Sequence, residues 1–169
     1  MKKLLPNKIF SAVRDISAEK LLLEGKKGVI FDIDDTLVSH KCRTIPQETH
    51  DYLEGLKKSG IKIALVSNGS FERVEIISKQ LGVFAQAKAK KPKKDALKTC
   101  LAHLDLPKEQ TVFVGDQIYT DILCANRNQI TGYLVRPIDR YENRFFYIKR
   151  LLEKPILKKY YKNEKNKMK

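Results

Sequence analysis

Apolar residues in this chain form short unbroken runs, separated by stretches in which they recur every three or four positions. Gly28–Ile33, Ile61–Val66, Thr111–Val114 and Gly132–Val135 are the clearest runs, and each reads as a strand covered on both faces. Between them the spacing turns helical. Tyr52, Leu53 and Leu56 follow Pro46, Val74, Ile77 and Leu81 follow Ser70, and similar patterns cover 95–104 and 121–128. Pro46 suits a first helical position, Ser17 and Ser70 suit N-caps, and Gly25, Gly60 and Gly82 suit stops. A further short strand is predicted within 83–88. Residues 1–16 read as an irregular lead-in with apolar anchors. Residues 143–162 read as a basic amphipathic helix, broken at Pro155 and frayed from Asn163.

Alternating strands and helices predict an α/β domain with a mostly parallel sheet. The 169 residues suit one domain: a lead-in and helix over 1–27, a core over 28–137, and a basic helix and tail over 138–169. Parallel sheets bind ligands beyond the carboxyl ends of their strands. The residues just after each strand are therefore the ones to examine.

The first strong strand ends in Asp32, Asp34, Asp35 and Thr36, and the next in Ser67-Asn68-Gly69. Lys90-Lys91-Pro92 lies between strands, and the third run ends in Gly115-Asp116, with Asp121 shortly after. Carboxylates crowded at the end of a buried strand are costly unless positive charge meets them. Asp32 and Asp116 can hold Mg²⁺, a hard cation that prefers oxygen. Ser67 and a lysine can bind phosphate oxygens, and backbone N–H groups after Asp32 can cradle the same phosphate. A carboxylate attacks phosphorus once metal and lysine neutralise the approaching charge. An EF-hand loop starting at Asp32 is excluded, because Leu37 and Arg43 stand where glycine and glutamate are needed. Asp35 reads as a loop-ordering carboxylate, and Lys90 is the alternative to Lys91. His40, His50 and His103 show no partner pattern and receive no role.

Taken together, Asp32-Ile33-Asp34-Asp35-Thr36, Ser67, Lys91 before Pro92, and Gly115-Asp116 with Asp121 resemble, in order, the four motifs of the haloacid dehalogenase superfamily. Leu4-Leu5-Pro6 and Ser67-Asn68-Gly69 are similar to the YqeG-like phosphatases of that superfamily, themselves similar to mitochondrial phosphatases acting on phosphatidylglycerophosphate. The resemblance implies a Rossmann-like three-layer α/β/α sandwich and an Mg²⁺-dependent phosphatase working through an aspartyl-phosphate. Asp32 would attack phosphorus, and Asp34 would move the protons. Thr36 would steady the loop at the phosphate, while Ser67, Asn68 and Lys91 would meet the phosphoryl oxygens. Asp32, Asp34 (through its backbone carbonyl), Asp116 and Asp121 would surround the metal. Only 23 residues separate Ser67 from Lys91, which leaves no room for a cap domain. An open site suits a bulky phosphate, such as a phospholipid headgroup, or closure by a second subunit. A response-regulator receiver is disfavoured, because its phosphorylated aspartate follows a middle strand after an earlier acidic pair.

Charge adds a second theme. The formal charge of +14 predicts anionic partners, and twelve Lys/Arg against four Asp/Glu lie between Arg136 and Lys169. That tail could dock anionic lipid or RNA, and a binding module acting through it is the alternative reading of the chain. The three cysteines suggest no disulfide framework and suit a reducing cytoplasm. Cys100 and His103 lack a second pair to complete a zinc site. No apolar run approaches the ~20 residues of a membrane span, and Pro6-Asn7-Lys8 interrupts any signal-peptide core. The expected location is cytoplasmic, with peripheral membrane contact.

Overall fold

Every residue of β2 (Gly28–Asp32) is buried, and the fold is built outward from that strand. The computed structural model describes residues 2–139 and 144–167. On one side β2 pairs with β3 (Lys62–Val66), which pairs with β4 (Phe84–Gln86). On the other side it pairs with β5 (Thr111–Gly115), followed by β6 (Thr131–Val135) and, at the edge, β1 (Lys8–Phe10). All these pairings are parallel, giving a six-stranded sheet of order β1-β6-β5-β2-β3-β4. Where β2 begins, Gly28 leaves room for Leu106: a Cβ there would lie 2.6 Å from Leu106 Cδ1, so that leucine side chain would have to turn aside.

Side chains alternate across the sheet, as strand geometry demands. Val29, Phe31, Leu65, Val114 and Tyr133 enter one core, covered by α1 (Ala18–Leu23), α2 (Gln47–Lys58) and α3 (Phe71–Leu81). Leu21, Leu53, Leu56, Val74 and Ile77 complete that layer. Ile30, Ala64, Val66 and Phe113 enter the opposite core, closed by α4 (Lys98–Leu104) and α5 (Leu123–Asn128) through Cys100, Leu104, Cys124 and Ala125. The result is the expected three-layer α/β/α arrangement. The expected caps form as well: Ser17 accepts from the Lys20 amide at 3.2 Å, Ser70 accepts from the Arg73 amide at 3.4 Å, and Gly82 ends α3 with φ +59°.

Three expectations need correction. The lead-in is not irregular throughout, because Lys8–Phe10 adds β1 to the sheet. Asn7 clamps this edge, its amide donating to the Gly132 carbonyl and its side-chain oxygen accepting from the Gly132 amide, both at 2.8 Å. The predicted helices at 95–104 and 121–128 are α-helical only from Lys98 and from Leu123, because their first residues belong to a 3₁₀ turn over Lys94–Leu97 and a π turn over Ile118–Ile122. The last helix, α6 (Arg144–Lys167), runs unbroken through Pro155 and past Asn163. Pro155 lies on the exposed side, where a helix can open toward water, while buried Glu153 and Ile156 hold the other side to the core. Asn143, where this helix was expected to start, lies outside the described residues. Among the described residues no separate cap domain is present: 33–46 is loop, and 67–90 holds only turns, α3 and β4.

Candidate active site

The chain folds back immediately after β2. Ile33 turns into the core, and its carbonyl accepts from the Leu37 amide at 3.0 Å, while the Asp35 amide donates to the Val38 carbonyl at 2.8 Å. Ile33, Leu37 and Val38 anchor this turn in the core, leaving Asp32 and Asp34 to share the solvent edge. Asp35 adopts the left-handed conformation (φ +60°). Its carboxylate accepts from the His40 amide at 3.2 Å and lies 2.9 Å from His40 Nδ1. Asp35 thus orders the loop, and His40 reaches the mouth of the cleft.

Asp32 is only 5% exposed. Lys91 Nζ donates to its Oδ1 at 2.5 Å, and Thr36 Oγ1 donates to its Oδ2 at 3.1 Å. The same ammonium donates to Asp121 Oδ1 at 2.8 Å. Lys91 is placed by Asn68, whose Oδ1 accepts from the Lys91 amide at 2.8 Å and whose Nδ2 donates to the Lys91 carbonyl at 3.1 Å. Lys91 is buried in the site, whereas Lys90 is exposed. Burial drives the Asp32 carboxyl upward, Lys91 pulls it down, and neighbouring Asp121 and Asp34 push it up again, leaving it at about 7. Lys91 loses solvation by burial, but Asp121 and Asp32 outweigh this and raise it, so it stays charged.

At the end of β5, Gly115 lets Asp121 come close: a Cβ on Gly115 would lie 2.5 Å from the Asp121 Cβ and Cγ. Asp121 Oδ2 accepts from the Gln117 amide at 3.0 Å. Ligand oxygens of Asp32, Asp116 and Asp121, all buried, lie within 4.8 Å of one another. Lys91 meets two of these three buried carboxylates, Asp32 and Asp121, and the three together offer hard oxygen donors that fit a divalent cation.

Ser67 Oγ donates to Asp34 Oδ2 at 3.1 Å and accepts from the Gly69 amide at 2.8 Å. Arg73, from the first turn of α3, donates through Nε to Asp34 Oδ1 at 2.8 Å. Its remaining nitrogens donate to the carbonyls of Cys42 at 2.5 Å and Ser39 at 3.1 Å. One guanidinium therefore fixes both Asp34 and the loop that carries His40.

Asp32, Asp34, Ser67, Asn68, Lys91 and Asp121 line one open cleft of about 280 Å³, and Asp116 is buried beside them. Two expected phosphate contacts are engaged elsewhere. Thr36 binds the carboxylate of Asp32 from behind, and the Asn68 side chain is occupied by the backbone of Lys91. Four residues were not anticipated: His40, Gln117 and Thr120, which line the cleft, and Arg73, which holds Asp34. His40 carried no pattern to single it out, and the only signal for Arg73 was its place one turn beyond the Ser70 cap.

A family model described as haloacid dehalogenase-like hydrolase matches residues 42–128. The chain is also 34% identical over 153 residues to the probable phosphatase YqeG of Bacillus subtilis, covering 90% of this chain and 89% of that protein. The chain belongs to the haloacid dehalogenase-like hydrolases. Within that family it is a YqeG-like phosphatase, related at lower identity to plant phosphatidylglycerophosphate phosphatases. It is 29% identical over 167 residues to phosphatidylglycerophosphate phosphatase 1, chloroplastic/mitochondrial, of Arabidopsis thaliana, covering 92% of this chain but 48% of that protein. A crystal structure of an uncharacterized protein from Listeria monocytogenes shares the fold, with a TM-score of 0.54 and 23% identity over 68% of this chain and 84% of that one. This haloacid dehalogenase-like hydrolase thus carries its acidic strand ends on a sheet with no separate cap domain among the described residues.

Proposed function

We propose that the chain is an Mg²⁺-dependent phosphatase that hydrolyses a phosphomonoester through a covalent aspartyl-phosphate on Asp32. The observation that carries this reading is the placement of Asp32: a buried carboxylate with Lys91 on one oxygen and Thr36 on the other. An oxygen of Asp32 attacks phosphorus, and the ester oxygen leaves with a proton from Asp34. Asp34 then takes a proton from water as that water attacks the aspartyl-phosphate, releasing inorganic phosphate and regenerating Asp32. Lys91 and Ser67 would carry the phosphoryl oxygens, with Ser67 turning from Asp34 to do so. Mg²⁺ would be held by Asp32, Asp116, Asp121 and the Asp34 carbonyl, and would supply charge neutralisation at the phosphoryl group.

The open mouth supports a bulky substrate. The likeness to the Arabidopsis enzyme makes phosphatidylglycerophosphate the first candidate, to be tried beside other phosphomonoesters. The test is hydrolysis of p-nitrophenyl phosphate and of phosphatidylglycerophosphate with Mg²⁺ or with EDTA. Activity should require the metal, and Asp32→Asn should lower it by at least about 10³-fold. Turnover that survives Asp32→Asn would remove the nucleophile assignment.

A further inference from the structure

α6 presents two unlike faces. Glu153 and Ile156 are buried, and the Glu153 carboxylate accepts from the Ile118 amide at 2.8 Å, while Ile156 packs with Ile118, Ile122 and Leu134. On the opposite face Ile148, Leu151, Leu152 and Pro155 follow the i, i+3, i+4, i+7 rule and so form one stripe. Ile148 is 56% exposed, Leu151 47% and Leu152 55%. The same stripe continues through Lys158, Lys159 and Lys162, so it is apolar over its first two turns and cationic after them. It also lies beside the catalytic cleft. Tyr119 Oη donates to the Leu152 carbonyl at 3.1 Å, and the next residue, Thr120, lines the cleft. Elsewhere on the surface, Phe71 stands 62% exposed at the start of α3, four residues after Ser67 of the cleft, with Lys88 Nζ 4.9 Å from its ring centroid.

We propose that the outward stripe of α6 docks on an anionic lipid bilayer, with Phe71 as a second contact, so that the cleft opens toward the membrane surface. Aliphatic side chains next to a lysine row match the acyl boundary and the charged headgroups of such a surface, where burial and charge act together. RNA fits less well: three exposed aliphatic residues give nothing to a phosphate backbone, and the described stripe has no aromatic ring on which bases could stack. A second copy of the chain also fits less well, because like charges on the lysine row would face each other and the aliphatic patch is small beside the roughly 800 Å² per partner of a stable interface. Docking of this kind does not depend on the phosphatase reading.

The experiment uses the full chain and vesicles of phosphatidylcholine with about 30% phosphatidylserine, a lipid carrying no phosphomonoester for the cleft. Flotation should show binding to these vesicles, little binding to pure phosphatidylcholine, and loss of binding as salt rises. The double variant Leu151→Glu/Leu152→Glu, with Lys158→Glu/Lys162→Glu as a second pair, should each lower the partition coefficient at least about tenfold. Mg²⁺-dependent turnover of p-nitrophenyl phosphate serves as the check on folding. Unchanged vesicle binding in both variants overturns the proposal. So does binding to a single-stranded RNA oligonucleotide that the leucine pair leaves intact while vesicles go unbound. A leucine-pair effect seen only as a change of oligomeric state in light scattering overturns it as well. If turnover fails but vesicle binding behaves as stated, it is the phosphatase reading that falls.

Discussion

At the scale of single residues, Arg73 decides how Asp34 is presented. It pins Oδ1, so Oδ2 is the oxygen that can face a leaving group once Ser67 turns to phosphate. Arg73→Ala should therefore hurt substrates whose leaving group needs a proton. We expect kcat on an alkyl phosphate to fall about 10²-fold and on p-nitrophenyl phosphate much less, since nitrophenolate leaves unprotonated. Equal losses on both substrates would make Arg73 merely structural. Arg73→Lys should restore little, because the two further contacts to loop carbonyls need a planar fork. The cysteines give a second residue-scale prediction. Burial pushes the Cys100 and Cys124 thiols up to about 12, whereas Cys42 is exposed. The thiolate is the reactive form, so iodoacetamide near pH 8 should label Cys42 alone in the native protein and all three cysteines after denaturation, read by mass spectrometry. What could be read in advance at this scale follows the same logic. Asp32, Ser67 and Asp116 were legible because they sit at strand ends, where a parallel sheet gathers functional groups, and Lys91 because it stands in a basic turn before proline between two strands. Arg73 and His40 were not, because they reach the site from a helix and a loop whose paths depend on tertiary contacts.

At the scale of elements, α6 is held by one polar anchor as well as by apolar packing. Removing the Glu153 carboxylate leaves the buried Ile118 amide without this acceptor. Glu153→Ala should cost about 1–3 kcal/mol, measured by urea unfolding, while Glu153→Gln, which keeps an acceptor oxygen, should recover part of the loss. Because Ile118 opens the turn that carries Asp121, the alanine variant should also need more Mg²⁺ for half-maximal activity. The central strands and their covering helices were legible from continuous apolar runs and three-to-four spacing. β1 was not, since three residues are too few to show a period and its pairing partner lies more than a hundred residues away. The continuity of α6 was hidden by Pro155, whose helix-breaking tendency is overridden by contacts on the opposite side.

At the scale of the whole molecule, no helix among the described residues is long and apolar enough to cross a membrane. The acidic centre makes stability depend on pH and, with a cation bound there, would make it depend on the cation too. In the folded state Asp32 sits at about 7, above the 3.8 of an ordinary aspartate. Its protonated form therefore adds stability that is full below the ordinary value and is lost as pH rises through about 7. A divalent cation held by Asp32, Asp116 and Asp121 would compete with that proton and take over above it. Adding about 5 mM MgCl₂ in place of EDTA should raise the melting temperature by several degrees near pH 8 and hardly at all near pH 5.5, by differential scanning fluorimetry. An equal rise at both values would place the cation away from Asp32.

The pairing of β1 with β6, Lys8 against Tyr133 and Phe10 against Val135, has a consequence for how the protein is made. A ribosome delivers β1 long before β6, its neighbour in the sheet among the described residues. Until β6 leaves the exit tunnel, Ile9 and Phe10 have no sheet edge to join, and the growing chain must carry them unpaired. The central strands β2, β3 and β4 emerge in immediate succession and can assemble meanwhile. Residues 8–10 are thus among the last of the sheet to find their place, and translation must pass residue 135 before the sheet can be completed.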